Sequence, residues 1–267
     1  MNRLSFGVQS LRRHVLAGLG RTHDPDGVVR AVGWARDAGF EALNLDLIYG
    51  GPGETADDWR ASLEGALALD PPHLSAYALT VEPGTPLGRR VAAGEQAGPD
   101  DDTLADRYLA ADRLLTEAGL EWYEISNWAR PGSECRHHLL YWDQGDYVGI
   151  GCAAHGHEDG RRWWNVRTPE RYVGRVAEGR SPEAGHERLD PAARSEERFA
   201  LALRTRAGAR VSASAEPVVS DLAGSGLLDR DGDQVRLTVR GRLLATEVTA
   251  RLLLAGAATQ PSPAGTR

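Results

Sequence analysis

The sequence is poor in sulfur and has no lysine. Its 267 residues include two cysteines and one methionine, and all 31 basic residues are arginine. Two cysteines cannot supply the disulfide framework of small secreted proteins, so we expect a reducing, cytoplasmic setting. No stretch approaches the roughly 18 consecutive apolar residues of a transmembrane helix, and the N-terminus lacks the charged start and apolar core of an export signal. We therefore predict no membrane span.

Acidic residues outnumber basic ones. The 38 Asp and Glu residues against 31 Arg give a formal net charge of −7. A negative chain is not attracted to a phosphate backbone, so we expect no nucleic-acid partner. Hydrophobic residues make up 41% and charged residues 26%, as in soluble globular proteins. The length allows one large domain, or a domain with a small appendage.

The first half alternates short apolar runs with helical patterns. Strands are predicted at residues 4–9, 43–48, 73–79 and 122–125, and helices at residues 28–38, 59–67 and 102–118. A β-α-β-α-β order is typical of parallel strands with helices outside. We therefore predict an α/β fold for this half, with an open sheet edge at the first strand.

One run combines a strand, a tight turn and a helix start. Asp46 lies inside an apolar strand, and a buried carboxylate is costly unless it has a partner. Gly50–Gly53 give the chain freedom to turn, and Thr55 with Asp58 is an N-cap pattern. Because α/β proteins place ligand contacts near strand ends, Asp46 is a candidate contact. The alternative is that Asp46 only orients the turn.

The second half holds most of the cysteine and histidine residues. It contains two patterns that resemble known binding sites, and neither pattern is complete. Cys135, Cys152 and the histidines around them suit zinc chemically, but they lack the paired knuckles of structural zinc sites. Residues 149–154 resemble a dinucleotide fingerprint, but no strand-turn-helix unit surrounds them. We therefore predict no metal site. From residue 190, a helix, a hairpin and a final helix favour a winged-helix-like module.

Several segments together resemble one family. N-R-L-S-F-G-V-Q-S at residues 2–10 is similar to a strand motif of the coproporphyrinogen-oxidase-like radical S-adenosylmethionine (SAM) proteins, and the Asp46 strand with its Gly-Pro-Gly turn is similar to the next strand. E-C-R-H-H-L-L-Y-W at residues 134–142 resembles the H-N-x-x-Y-W signature of the HemW-type heme chaperones, with His138 where Asn is usual. The similarity extends from residue 2 to about residue 250, with the motifs in the family's order.

The resemblance implies a fold and a domain plan. The fold is a partial radical-SAM (TIM-like) barrel followed by a small α+β winged-helix-like region. Residues 1–125 would form the C-terminal portion of the barrel, and residues 126–189 a connecting region that contains the C-R-H-H-L-L-Y-W segment. Residues 190–256 would form the winged-helix-like domain, and residues 257–267, rich in Ala, Pro and Ser, a disordered tail.

The resemblance also implies SAM contacts at three positions, Gln9, Arg21 and Asp46. A guanidinium can donate to a carboxylate, and a carboxylate can accept from hydroxyl or amino groups. The alternative for Arg21 is a surface salt bridge.

The heme candidates lie in the second half. His137 is the first choice for an axial ligand, because imidazole commonly ligates heme iron, and Cys135 and Tyr141 are second choices. Trp142 suits packing on a porphyrin face. The alternative is that His137 and Trp142 only seal the bottom of the barrel.

The family's cluster motif is missing. Its members hold a [4Fe–4S] cluster through C-x-x-x-C-x-x-C near the N-terminus, whereas Cys135 and Cys152 here have sixteen residues between them. We expect that the chain is a fragment or begins at an internal methionine. The alternative is a truncated paralogue without radical chemistry.

The function implied is heme binding and delivery to heme-requiring proteins, with a homodimer as a possible assembly. One alternative is an oxygen-independent coproporphyrinogen III oxidase of porphyrin biosynthesis. Another is a non-catalytic remnant that acts as a binding module. The missing cysteines leave it open whether the chain is an enzyme.

Overall fold

A computed structural model of the chain describes residues 2–258, which form two compact units divided after Glu134. The first unit contains strands β1 (Arg3–Gln9), β2 (Ala42–Tyr49), β3 (His73–Ala78), β4 (Glu121–Glu124) and β5 (Asn127–Ala129), and helices α1 (Arg13–Gly18), α2 (Pro25–Asp37), α3 (Ala56–Ala68), α4 (Pro86–Ala92) and α5 (Asp101–Glu117). The five strands form one sheet in the order β1-β2-β3-β5-β4. Among the described residues, β1 is therefore an edge strand, as predicted.

The first three strands lie parallel, which confirms the prediction from their spacing. Leu45 of β2 pairs with Phe6 on one side and with Leu74 on the other. Helices α2 and α3 connect these strands, because parallel neighbours need a crossover. The predicted cap of α3 is also present. Thr55 and Asp58 form a capping box in which each side chain accepts the other's backbone N–H at 3.1 Å.

The last two strands depart from the expected all-parallel order. β5 follows β4 after a two-residue turn, lies between β3 and β4, and runs antiparallel to both. Trp128 of β5 is fully buried opposite Trp122. A hairpin thus closes this end of the sheet, where a crossover was expected.

The strand β2 separates an apolar face from a polar one. Leu43, Leu45 and Leu47 are buried and belong to the core that includes Trp59 and Leu63 of α3. The alternate positions 44 and 46 point to the opposite face, because side chains alternate along a strand. The core of the first unit therefore lies between the sheet and its helices, and a polar surface lines the other side of the sheet.

The second unit begins with a helix and an antiparallel sheet and ends with the winged-helix-like region. Its strands are β6 (His155–Glu158), β7 (Arg161–Asn165), β8 (Glu183–Arg188), β9 (Ala209–Arg210), β10 (Leu228–Asp231) and β11 (Gln234–Leu237), and its helices are α6 (Arg136–Trp142), α7 (Pro169–Ala177), α8 (Pro191–Leu203), a 3-10 turn (Ala213–Ala215), α9 (Glu216–Gly224), α10 (Val239–Leu243) and α11 (Ala245–Leu254). The antiparallel sheets have the orders β6-β7-β8 and β10-β11-β9. The order helix, strand, helix, hairpin and helices agrees with the predicted winged-helix-like region.

The chain packs as two units divided after Glu134. The domain limits at residues 125 and 189 stay predictions. Of the predicted tail, Ala257 is buried and Ala258 bridges to Val211, while residues 259–267 lie outside the described part. Within residues 2–258, no helix combines the length and apolar character needed to cross a membrane.

Candidate functional site

The polar face of the first sheet gathers side chains from neighbouring strands. Asp46 is half-buried, and both of its oxygens have donors: Ser5 Oγ donates to Oδ2 at 2.6 Å and Asn44 Nδ2 donates to Oδ1 at 2.8 Å. These are the partners that an aspartate within an apolar strand requires. Each carboxylate oxygen retains capacity for a further hydrogen bond, so Asp46 can still accept from a ligand hydroxyl or amine.

Asn44 is the centre of this network. Its Nδ2 also lies 2.8 Å from Ser5 Oγ and 3.0 Å from Ser75 Oγ, and its Oδ1 accepts from His73 Nδ1 at 2.6 Å. His73 Nε2 lies 2.7 Å from Tyr123 Oη. With the proton on Nδ1, the imidazole can accept the tyrosine hydroxyl proton at Nε2. The network therefore extends across the sheet from Asp46 to β4.

Gln9 lies on the same face as Asp46. It ends β1 with a φ of 63°, and the pairing with β2 shifts register between Gly7 and Gln9. Its side chain folds back so that Nε2 would lie 2.8 Å from a Cβ added to Gly7, the residue that pairs with Asp46. Arg21 is exposed just after α1, and no side-chain hydrogen bond or ion pair joins it to Gln9 or Asp46 within residues 2–258.

A cavity of about 600 Å³, including the part open to solvent, lies where β2 and β3 end. Its walls come from the Gly50–Glu54 loop, from Leu79 and Val81 after β3, and from α4 and the start of α5. The Glu54 side chain is 1% exposed. Its Oε2 accepts the Gly50 N–H at 2.7 Å and lies 4.0 Å from Arg107 Nε, while its Oε1 has no hydrogen-bond partner among the described residues.

Burial dominates the acid-base behaviour of Glu54. It raises the pKa of the carboxyl to about 7, because desolvation outweighs the opposing effects of the Gly50 N–H and Arg107. The sequence alone gave no reason to expect this, because a glutamate after a glycine-rich turn normally lies in solvent.

In the second unit, two of the heme candidates meet on one face of α6. His137 and Tyr141 are both exposed, and their ring centroids are 4.6 Å apart at 75°. Tyr141 contacts Tyr147 at 4.5 Å and 84°, and Tyr147 stacks on the buried His157 at 6.2 Å. A row of rings thus runs from the surface into the unit. His137 and Tyr141 form the exposed end of this row.

The third heme candidate is placed differently. Cys135 precedes α6 and is only 9% exposed, so a ligand at the surface has less access to it than to the rings of His137 and Tyr141. Among the described residues, no disulfide joins Cys135 to Cys152. Within residues 2–258, no group of three or more His, Cys, Asp or Glu side chains has the arrangement of a metal site. The cysteines present therefore do not fit a [4Fe–4S] cluster.

Comparison with known proteins decides the family. Residues 1–65 match the model of the Radical SAM superfamily. The chain is 48% identical over 254 residues to the heme chaperone HemW of Mycobacterium tuberculosis, covering 94% of this chain and 65% of that protein. It is 36% identical over 259 residues to the heme chaperone HemW of Bacillus subtilis, covering 93% of this chain and 68% of that protein. The chain belongs to the HemW family.

A solved structure supports the same fold. Coproporphyrinogen III oxidase (HemN) from Escherichia coli, described as a radical SAM enzyme, superposes with a TM-score of 0.78 at 22% identity. The match covers 94% of this chain and 64% of that one. At this identity the match establishes the fold, a partial radical-SAM barrel with its C-terminal region, and no more. The chain spans about two thirds of the length of these relatives.

Several residues of the two surfaces escaped the sequence analysis. Asn44 alternates with the leucines of β2, and His73 and Ser75 have the same period in β3, so strict alternation would have placed all three beside Asp46. Tyr147 carried no such signal, because what links it to the heme candidates is a ring contact with Tyr141 of α6.

Proposed function

We propose that this chain binds heme on the exposed face of α6, with His137 as the axial ligand, and passes the heme to a protein that requires it. The observation that carries the proposal is the pair of exposed rings, His137 and Tyr141, at 4.6 Å. Imidazole is a common ligand of heme iron, and aromatic faces suit the apolar porphyrin. An exposed ligand also suits delivery, since an acceptor must reach the heme. The names of the HemW relatives favour this function over that of an oxidase.

The contacts rank the three ligand candidates. His137 is exposed and stands first. Tyr141 is 39% exposed and lies beside it, so its phenol is the second choice or a packing partner for the porphyrin. Cys135 is buried and comes last.

We further propose that the polar face of the first sheet contacts the nucleoside part of SAM. Asp46 offers a carboxylate with remaining acceptor capacity, and Gln9 offers an amide on the same face. Arg21 remains a candidate for the carboxylate of the methionine part. SAM, when bound, would supply a methyl or adenosyl group. This chain's residues would hold it by hydrogen bonds, and no step of cluster chemistry is assigned to them.

Heme titration followed at the Soret band tests the heme site. His137→Ala should weaken heme binding by about tenfold or more, which corresponds to a loss of roughly 1.4 kcal/mol or more in binding free energy. The matched control is His186→Ala, since His186 is exposed in the same unit but pairs with Glu183 at 2.7 Å. Circular dichroism checks that both variants stay folded. Equal affinity in wild type and His137→Ala would remove His137 as the ligand and shift attention to Tyr141.

Calorimetry with SAM tests the second surface. Asp46→Ala should weaken SAM binding by about tenfold or more, because a hydrogen bond to a carboxylate is worth about 1.5–3 kcal/mol. Asp57→Ala, an exposed aspartate of α3, is the control. Equal SAM affinity in wild type and Asp46→Ala would remove Asp46 from the contact.

A further inference from the structure

The helix that carries His137, the proposed heme ligand, is short and only partly buried. α6 has seven residues, none of them fully buried, and Cys135 makes no side-chain cap at its N-terminus. A helix of this length is not stable by itself in water, so its position depends on the contacts it makes. The residue after its C-cap supplies one such contact, because Gln144 Nε2 donates to Glu197 Oε2 of α8 at 2.7 Å.

The face of α6 that bears the ligand has a different support. Tyr141 lies one turn after His137, and its ring lies nearly perpendicular to that of Tyr147 at a centroid distance of 4.5 Å. Edge-to-face pairs at this distance are favourable by about 0.5–1.5 kcal/mol beyond their burial. The contact with Tyr147 thus fixes the ring against which the His137 imidazole packs.

Tyr147 is itself held firmly. Its N–H and C=O both pair with His157 at 2.9 Å, and its ring stacks on the His157 imidazole. His157 is 4% exposed, belongs to β6, and has Nδ1 3.0 Å from Gly145 O and 3.3 Å from Asp146 Oδ1. Tyr147 therefore connects the β6-β7-β8 sheet to α6 through His157 on one side and Tyr141 on the other.

We propose that Tyr147 is a positioning residue of the heme site: through its ring contact with Tyr141 it fixes the orientation in which α6 presents His137 to the iron. This inference rests on the proposed heme function. It adds a residue outside the C-R-H-H-L-L-Y-W segment and assigns the β6-β7-β8 sheet as the support of the ligand. Tyr147 does not touch the iron, and its effect on heme passes through Tyr141.

Two substitutions at Tyr147 separate the ring from the rest of the side chain. Tyr147→Leu removes the ring and should weaken heme binding about fivefold, the equivalent of an aromatic contact of about 1 kcal/mol. Tyr147→Phe keeps the ring and should stay within twofold of the wild type. Tyr172→Leu is the matched control, because Tyr172 is a half-buried tyrosine of α7 in the same unit, outside the row of rings.

A spectroscopic reading distinguishes positioning from general stability. In Tyr147→Leu, the ferric heme should show a second ligation state in its Soret maximum and electron paramagnetic resonance spectrum, whereas Tyr147→Phe and Tyr172→Leu should match the wild type. If Tyr147→Leu does not fold by circular dichroism, Tyr147→Met, which has a similar volume without a ring, replaces it with the same expectation.

The outcomes keep this inference apart from the proposed function. If His137→Ala loses heme and Tyr147→Leu does not, heme binding at α6 stands and the role of Tyr147 is wrong. Equal losses in Tyr147→Phe and Tyr147→Leu would also overturn it, since the ring contact would then not be the cause. If wild type and His137→Ala bind heme equally, the assignment of His137 as the ligand fails, and the role inferred for Tyr147 fails with it.

Discussion

Glu54 makes the stability of the first unit depend on pH in a way that one substitution tests. Its side chain is 1% exposed and its Oε1 has no partner among the described residues, so the charged form is poorly solvated. Glu54→Gln removes the charge but keeps an oxygen that can accept the Gly50 N–H. The variant should therefore differ from the wild type only where Glu54 is ionised.

The magnitude follows from the change in pKa. Burial raises the pKa of Glu54 from 4.5 to about 7, so the folded state holds the proton more tightly than the unfolded state. The free energy of unfolding is then unaffected below about pH 4.5, falls as the pH rises towards 7, and stays lower above it. A difference of about 2.5 pKa units corresponds to roughly 3 kcal/mol.

Urea unfolding followed by circular dichroism at pH 4.5, 6, 7 and 8 measures the effect. Glu54→Gln should equal the wild type at pH 4.5 and be more stable at pH 8, by up to about 3 kcal/mol. Glu64→Gln, at an exposed site on α3, should show no such trend. A Glu54→Gln variant that is less stable at pH 8 would refute the reasoning, because it would mean that the Arg107 contact outweighs desolvation.

Three further outcomes are expected. Asp58→Ala should lower the free energy of unfolding in urea by about 2–4 kcal/mol at neutral pH, because it removes a helix cap and a charged hydrogen bond to Arg12. Thr55 and Arg12 hold the pKa of Asp58 below its usual 3.8, so this loss should shrink as the pH falls below that value. A loss that does not depend on pH would contradict this. Anaerobic incubation of the 267-residue chain with iron and sulfide should give no [4Fe–4S] spectrum and no stoichiometric reductive cleavage of SAM, since it has only two cysteines, and clear cleavage would count against this. Light scattering at rising concentration should show self-association through the edge of β1 that has no strand partner among residues 2–258, and a monodisperse monomer at high concentration would contradict that expectation.

The parallel part of the fold could be predicted because its signals are local and repeated. Apolar runs at β1, β2 and β3 alternate with helical periods, and crossover geometry then leaves few arrangements. The strand β5 could not be predicted, because three residues are too few for periodicity and its pairing partner β3 lies far along the chain. The sequence implied a chain with one more parallel strand, and the structure has a hairpin there.

The candidate site was predictable only in part, for a related reason. That Asp46 needs a partner follows from its apolar neighbours, but the identity of Ser5 as a donor depends on the register between β1 and β2. His137 and Tyr141 were predictable as a pair, because residues four apart share a helix face. The burial of Glu54 and the contact of Tyr147 arise from packing between distant segments, which no local pattern records.

The fold-back of Gln9 over Gly7 has a consequence for how this strand can change over time. A Cβ at position 7 would lie 2.8 Å from Gln9 Nε2, so the Gln9 amide, at the end of a flexible side chain, would have to swing away. Position 9 itself has a backbone conformation that favours glycine, asparagine or aspartate over glutamine. The amide therefore keeps this place beside Asp46 only while position 7 is glycine. A relative with a side chain at position 7 is expected to hold the position 9 side chain elsewhere, and its Asp46 would face a ligand without the neighbouring amide.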